Sequence, residues 1–329
     1  MVRESKGIVK IDKLDQLILY ELDKNSFQSF AKIGKKLKKG RDVIQYRVKR
    51  LEELGIIKNY VLIIDYGKLG HLMGALYWKY RHETPKLREE VVEYLQSKPN
   101  TWWIDDMEGN FDIGFGIYSK SIEDLREAQR ELMSKYKRNI SEYRSRVFNH
   151  HYIFTRDYLH PNPDLSKRRR LLIKAKNEKI TDSLDDKILV LLAENARMLY
   201  TEAAEKLGVS AKAVYNRIQA LKEKGVILGS RPAIDLRKLG YEWYKLDIYL
   251  SDYSIYEELI DFVAKHPNVI YAYDAIGGED LGLDIEVKNY DEFKQLEDSI
   301  LERFADSIEK TDFIIFTKER KLTYLPPID

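Results

Sequence analysis

The sequence predicts an α+β protein built of two repeats, each a winged helix-turn-helix followed by a ferredoxin-like βαββαβ domain. The first observation behind this is a self-match: residues 14–70 align with 184–240 at a constant offset of 170, without a gap, with 18 identities in 57 pairs. The second is a run of three short helical patterns in each repeat with a tight turn before the third. The third is the alternation of strand and helix patterns that follows. A fixed-offset match of turn, cap and core positions is the signature of a duplicated fold module. The shared positions include Leu14/Leu184, Asp15/Asp185, Asn25/Asn195, Arg47/Arg217, Gly55/Gly225 and Leu69-Gly70/Leu239-Gly240. Farther on the offset becomes 168, pairing Pro99-Asn100 with Pro267-Asn268 and Asp112 and Gly114 with Asp280 and Gly282.

Each repeat opens on a cap. Asp12-x-x-Asp15 and Asp182-x-x-Asp185 set an acidic cap and an acidic third position ahead of a helical apolar pattern, Ile188, Leu189, Leu191 and Leu192 in the second copy. A second helix at 200–207 runs into Gly208-Val209-Ser210, and Ser210 caps a third helix that ends at Gly225, a residue suited to the left-handed turn after a helix. Then Val226-Ile227-Leu228, a break at Pro232 and Ala233-Ile234-Asp235 suit a β-wing. In the first copy strands at 74–80, 101–107, 112–118 and 142–154 and helices at 86–96 and 121–136 give the βαββαβ order, repeated from 245 to 316. The expected layout is winged helix-turn-helix 1 at 1–62, ferredoxin-like domain 1 at 63–160, a basic connector at 161–180, winged helix-turn-helix 2 at 181–232 and ferredoxin-like domain 2 at 233–329. Such a sheet carries both helices on one face. The bare face, with Trp78, Trp102 or Trp103 and many tyrosines near it, calls for burial against a second sheet.

Composition narrows the setting. The chain has 329 residues, 44% of them apolar, and no cysteine, which rules out a disulfide framework or a cysteine zinc site. No apolar run approaches a membrane span, and the start Met1-Val2-Arg3-Glu4-Ser5-Lys6 lacks the apolar block of a signal peptide. A soluble, cytoplasmic protein is expected, without a membrane partner. The net charge of +2 conceals an asymmetry: residues 31–58 hold ten Lys/Arg against three Asp/Glu, residues 201–228 five against three, and residues 229–329 twelve against twenty-two. The connector adds Lys167, Arg168, Arg169, Arg170, Lys174, Lys176 and Lys179. Polyanion binding is therefore expected in the first half and the connector.

Ile44, Val48 and Leu51 place one stripe of the third helix inward, leaving Asp42, Tyr46, Lys49 and Arg50 on the opposite side. Their counterparts are Lys212, Asn216, Gln219 and Ala220. Asn and Gln pair bidentately with adenine in the major groove, so Asn216 and Gln219 are the expected base readers. The nucleic-acid-binding candidates are Lys35, Lys36, Lys38, Lys39, Arg41, Tyr46, Arg47, Lys49 and Arg50 in copy one, with Lys206, Ser210, Lys212, Asn216, Arg217 and Gln219 in copy two.

This order of parts resembles the leucine-responsive/asparagine-synthetase-type (Lrp/AsnC) regulators, duplicated in one chain. The resemblance rests on Gly225-Val226-Ile227, on Asp65-x-x-Lys68-Leu69-Gly70 with Asp235-x-x-Lys238-Leu239-Gly240, and on Gly109-Asn110-Phe111-Asp112, similar to the family's effector loop. It implies sites for a free amino acid at Glu108, Gly109, Asn110 and Asp112 and at Gly277, Gly278 and Asp280. Glu279 departs from the pattern where an aromatic belongs. Copy one departs as well, with Lys38-Lys39-Gly40-Arg41 in place of Gly-Val-Ser-Ala. That exchange loses a capping Ser and gains positive charge.

No phosphate-loop pattern and no Ser/His/Asp grouping is present. His150 and His151 alternate across a strand, which argues against a shared metal, and one of them is expected beside Arg144, Arg146 and Arg156 in a basic rim. The chain is accordingly read as not an enzyme, with no catalytic residue, no metal and no cofactor. Its expected function is DNA-binding transcription regulation, with duplex DNA as partner, amino-acid effectors, and self-association as a homo-oligomer through leftover sheet edges or effector-loop surfaces. The alternative is an RNA- or ribosome-associated protein, which draws on the basic clusters interleaved with Phe27, Phe30, Tyr46, Tyr136 and Tyr143 as stacking faces.

Overall fold

The structure, a computed structural model, describes residues 7–328; the segment Met1–Lys6 and Asp329 lie outside the described residues. The first helix-turn-helix comprises α1 (Lys13–Lys24), α2 (Phe30–Leu37) and α3 (Arg41–Glu53). Asp12 and Asp15 form a reciprocal capping box at the start of α1, with the Asp12 carboxylate accepting from Asp15 N–H at 2.9 Å. β1 (Ile57–Ile64) follows. Next come β2 (Leu72–Tyr80), α4 (Pro85–Ser97), β3 (Thr101–Gly109), β4 (Ile113–Ser119), α5 (Ile122–Tyr136) and β5 (Ile140–Phe154). The connector contributes β6 (Arg170–Lys174). The second repeat supplies α6 (Ser183–Glu194), α7 (Tyr200–Leu207), α8 (Ala211–Glu223), β7 (Ile227–Ile234), β8 (Glu242–Leu250), α9 (Tyr256–Val263), β9 (Val269–Ile276), β10 (Leu281–Val287), α10 (Tyr290–Phe304) and β11 (Ile308–Leu322). Its first helix carries the same capping box, through Asp182 and Asp185.

The wings differ from expectation. Each copy lends a single strand, and β1 pairs antiparallel with β7 in a two-stranded ribbon of its own. Pro232 does not break this strand, because both members of a two-stranded ribbon are edge strands and tolerate a missing N–H. The ribbon draws both helix-turn-helices onto one core, in which Ile18, Leu22 and Ile44 share a cluster with Ile188, Leu192 and Val214. The Asp-x-x-x-Leu-Gly motifs lock the arrangement reciprocally. Lys68 Nζ donates to the Lys224 carbonyl at 2.7 Å, at the end of α8, and Lys238 Nζ donates to the Leu54 carbonyl at 2.7 Å, at the end of α3. Lysine at a helix C-terminus satisfies orphan carbonyls and meets the negative end of the helix dipole.

The two ferredoxin-like sheets meet face to face and are also continuous at their edges. The hydrogen-bonded order β2-β4-β3-β11-β8-β10-β9-β5 returns to β2, closing an eight-stranded antiparallel barrel. Two long strands make the closure. β5 pairs with β2 over residues 140–147 and with β9 of the other copy from Val147 to Ile153. β11 pairs with β8 from Ile308 to Phe316 and with β3 from Ile314 to Leu322. Closure removes the free edges of the eight barrel strands, through which a sheet recruits another chain, and among the described strands leaves unpaired edges on β6 and on the β1–β7 ribbon. Tyr77, Trp103, Met107, Phe148, Tyr273 and Ile314 fill the barrel, whereas Trp78 faces the opposite way, under α4 with Val91 and Leu95.

The connector is not a free basic arm. β6 takes the part of the β5 edge that β2 leaves, at Tyr152 and its neighbours. Arg168 is buried, donating to Asp157 at 2.7 Å and to the carbonyls of Thr155, Ala264, His266, Pro267 and Val269, while Arg169 donates to the Lys24 carbonyl at 2.7 Å. These two guanidiniums hold carbonyls together and are not available to a polyanion, whereas Lys167, Arg170, Lys174, Lys176 and Lys179 of the connector are exposed.

Candidate nucleic-acid interface and a cavity beside the ribbon

The recognition helices α3 and α8 bury the expected stripes, Ile44, Val48 and Leu51 in one and Val214, Ile218 and Leu221 in the other. Ser210 caps α8, its hydroxyl accepting from Ala213 N–H at 3.1 Å, whereas Gly40 gives α3 no side-chain cap. Lys35, Lys38, Lys39, Arg41, Tyr46 and Lys49 are exposed on the first head; Lys206, Lys212 and Asn216 are exposed on the second, and Gln219 is half-buried beside them.

Several candidates have internal work. Arg47 Nη1 reaches Asp12 at 2.5 Å and Asp15 at 3.1 Å, and Arg50 reaches Asp15 at 3.0 Å. Arg217 repeats the contact with Asp182 and Asp185. In each copy this arginine thus bolts the recognition helix to the capping box of the first helix. Lys36 is bound to Glu21 and, at 2.6 Å, to the Gln28 side chain. Lys49 lies 3.7 Å from Glu53 and Lys206 3.3 Å from Glu202, exposed pairs that a phosphate can outcompete. The stacking set behind the RNA reading disperses: Tyr136 is buried, Phe27 lies under Lys222 and Phe30 under Arg197, leaving Tyr46 on α3 and Tyr143 on β5 exposed.

The effector-loop candidates occupy the β3–β4 and β9–β10 turns. Asp112 accepts from Tyr80 N–H at 2.7 Å and Asp280 from Leu250 N–H at 2.7 Å, each capping the end of its neighbouring strand. Glu108, Gly109, Asn110, Gly277 and Gly278 are exposed. Gly109, with φ 118°, lies against the Phe313 carbonyl, and a Cβ on Gly277, with φ 83°, would stand 2.9 Å from the Ser145 carbonyl. Each turn thus leans on a long strand of the other copy.

Phe111 and Glu279 occupy equivalent positions, as do Tyr77 and Lys245. Phe111 packs on Tyr77 with ring centroids 5.8 Å apart; Glu279 binds Lys245 at 2.8 Å. One copy holds an aromatic pair where the other holds an ion pair. The expected basic rim is likewise internal: Arg146 is ion-paired with Glu279, Arg144 reaches Asp247 at 3.0 Å, and Arg156 lies between Asp23 and Glu286, each at 2.8 Å. Burial drives the Lys245 amine well below its ordinary range and lifts the Asp284 carboxyl to about 6. His150 faces out, to Asp274 at 2.9 Å, and His151 faces in, where burial and then Arg146 lower its imidazole to about 4.

Beside this cluster lies a cavity of about 80 Å³. Its walls include Trp102, Trp103, Phe148 and Tyr271 from the barrel, Ile63 and Ile64 from β1, and Arg231 from β7. Sequence reasoning missed it because its wall residues range from position 63 to position 324.

Two helix-turn-helix heads on one core, with exposed polar recognition faces, define a nucleic-acid-binding protein of the winged-helix class. The comparisons agree. Residues 182–222 match the model of the AsnC-type helix-turn-helix domain, and residues 11–58 that of a winged helix-turn-helix DNA-binding domain. An uncharacterised HTH-type transcriptional regulator of Pyrococcus furiosus is 33% identical over 131 residues, 40% of this chain and 87% of that protein. The regulatory protein AsnC of Haemophilus influenzae is 30% identical over 147 residues, 44% of this chain and 97% of AsnC. The chain belongs to the Lrp/AsnC family.

Among solved structures, the siroheme decarboxylase NirDL matches both repeats together, with a TM-score of 0.61 and 17% identity over 97% of this chain and 95% of that one. NirDL has also been solved with an iron-uroporphyrin III analogue, with a TM-score of 0.58 and 17% identity over 96% of this chain and 94% of that one. This corrects the expectation that the chain is not an enzyme, since the same two-repeat layout is the fold of one. The expectation rested on local motifs, whereas closure of the barrel brings Arg146, His151, Lys245, Glu279 and Asp284 together from distant parts of the chain.

Proposed function

We propose that this protein is a transcription regulator that binds duplex DNA as a covalent pseudo-dimer with unequal heads. The second head reads bases through Asn216 and Gln219. The first contributes phosphate contacts through Lys35, Lys38, Lys39, Arg41 and Lys49. The observation that carries this reading is the β1–β7 ribbon, which sets two chemically different recognition helices on one body. Arg47 and Arg217 support the helices from within, and Ser210 does so as a cap.

Selection from a random duplex library, followed by affinity measurements on the selected site, tests the reading. A recovered motif whose binding weakens in Asn216→Ala supports it. Recovery of no motif, with copurifying RNA that sequences as ribosomal, refutes it. An amino-acid effector at Glu108, Gly109, Asn110 and Asp112, or at Gly277, Gly278 and Asp280, is the regulatory part of the proposal. The aspartates already cap strands, so their remaining oxygens and the exposed turn amides would hold the ligand. A thermal-shift screen of the twenty amino acids tests it, and no response in the wild-type protein refutes it. Self-association, with the barrel closed, falls to these same turn surfaces or to the outer edges of β6 and the ribbon.

A catalytic reading stands second. It is favoured by the titratable His151 and Asp284, both at the wall of the cavity and both displaced from their ordinary ranges. Incubation with siroheme, followed by mass spectrometry, tests for loss of carbon dioxide. An unchanged mass removes the decarboxylase reading.

A further inference from the structure

The second head exposes two large apolar side chains that its packing does not use. Leu199 stands at the start of α7 with 68% of its surface open, and Tyr215, on α8, is 48% open. The Leu199 position is a cap position. Its backbone has φ −67° and ψ 139°, close to the −70° and 151° of Ser29 at the same place in the first head, where the hydroxyl accepts from Lys32 N–H at 3.3 Å. Leucine accepts nothing, so α7 begins without a side-chain cap. An apolar residue in place of a capping serine weakens a helix, and a leucine left this open gains little burial to offset the loss.

Both residues border the base-reading face. Tyr215 comes one residue before Asn216 and four before Gln219, so its ring and the Gln219 amide share one side of α8. The Tyr200 ring lies against it, with centroids 5.9 Å apart and planes at 54°, and Tyr200 directly follows Leu199. In the first head the equivalent residues are Ser29 and Gln45, both polar. At these positions the apolar surface belongs to the head that carries Asn216 and Gln219, not to the head that carries the lysines.

Asn and Gln select adenine in the major groove, and the apolar group that the groove presents is the thymine 5-methyl. Adenine and that methyl come together in every A·T pair. We propose that Tyr215 and Leu199 take thymine methyl groups beside the adenines read by Asn216 and Gln219, a step that rests on the regulator reading above. The second head then reads A·T pairs on both strands, by amide on adenine and by ring or leucine on thymine. Each methyl buried against them contributes about fourfold in affinity, the equivalent of one buried methylene. The ligand of this surface is thymine-containing duplex DNA, because uracil presents the same hydrogen-bonding groups without the methyl.

The test uses the full chain and the duplex recovered by selection from a random library, with deoxyuridine in place of thymine at one position at a time. Binding by the wild type is expected to weaken about fourfold at one or more of these positions. Leu199→Ser and Tyr215→Gln place the residues of the first head at equivalent, exposed sites, so the fold tolerates them, and Leu199→Ser should raise the melting temperature by restoring the cap. The double variant loses the sensitivity: its affinities for the thymine and deoxyuridine duplexes become equal. A wild type indifferent to deoxyuridine at every position, or a double variant as sensitive as the wild type, overturns the proposal while the recovered motif upholds the regulator reading. A lower melting temperature for Leu199→Ser shows that the leucine serves the fold and overturns its part in the site. Recovery of no motif refutes the regulator reading itself, and the methyl contacts with it.

Discussion

Lys38→Gly should stabilise the first helix-turn-helix while loosening its hold on phosphate. Lys38 ends α2 with φ 53° and ψ 43°, and it is the one non-glycine residue with positive φ among the described residues. Its counterpart is Gly208, with φ 66° and open space where a Cβ would stand. An L-residue pays about 1–2 kcal/mol in this conformation. Glycine returns about 0.4–1 kcal/mol of that through the greater freedom of its unfolded chain. The net gain is about 0.5–1 kcal/mol, which urea unfolding followed by circular dichroism resolves as a higher midpoint at unchanged slope. The reverse change, Gly208→Lys, should cost at least as much. Because Lys38 is exposed, its removal should also lower the slope of log affinity against log salt by about 0.9 if it meets one phosphate. A destabilised Lys38→Gly beside a neutral Gly208→Lys would refute the strain argument. A stabilised variant with an unaltered salt slope would refute the idea that the strain is kept for the sake of the charge.

Replacing Lys35, Lys36, Lys38 and Lys39 together by Ala should reduce that salt slope by about three rather than four, because Lys36 is engaged with Glu21 and Gln28; fluorescence anisotropy across a salt series measures it. Asn216→Ala should cost about 1–3 kcal/mol on a selected site and almost nothing on random duplex, as competition binding would show. Asp23→Ala leaves Arg156 and Arg231 buried without their shared carboxylate and should destabilise the fold by about 3–5 kcal/mol, read by chemical denaturation. His151 has a folded pKa lowered to about 4 from an ordinary 6.5. Below pH 6.5 the unfolded chain takes up a proton that the folded chain refuses, so stability is lost as pH falls from 6.5 towards 4. Asp284, raised to about 6, works in the opposite direction over the same window. The stability difference between wild type and His151→Phe isolates the histidine, and it should change by about 2 kcal/mol across that window in thermal melts at stepped pH.

What the sequence made legible was local. The capping boxes at Asp12 and Asp182, the inward stripe of Ile44, Val48 and Leu51 and the left-handed Gly225 follow from patterns within a few residues, and all stand in the structure. The wings were misread because an extended pattern names a strand and not its partner, and the partner of β1 is 170 residues away in the matching strand of the other copy. Arg47 and Arg217 carried a readable hint. They and their aspartates are identical in two heads whose other exposed residues diverged, the mark of internal support. The exchange of Tyr77 and Phe111 for Lys245 and Glu279 was readable in the same way, as a double change at one offset. The cavity was not, because no interval of the chain contains its walls and only barrel closure collects them.

The reciprocal clasp of Lys68 on the end of α8 and Lys238 on the end of α3 makes the two heads a ruler. Neither recognition helix can swivel without pulling its partner, so on the regulator reading proposed above the separation and phase of the two DNA contacts are set by the protein and not by the sequence it meets. Two sites a whole helical turn apart, about ten base pairs, present the same face of the duplex; a change of about five turns one of them away. With both heads on one polypeptide, the measuring device is complete in a single chain. Its reading does not fade on dilution, as that of a dissociating dimer does.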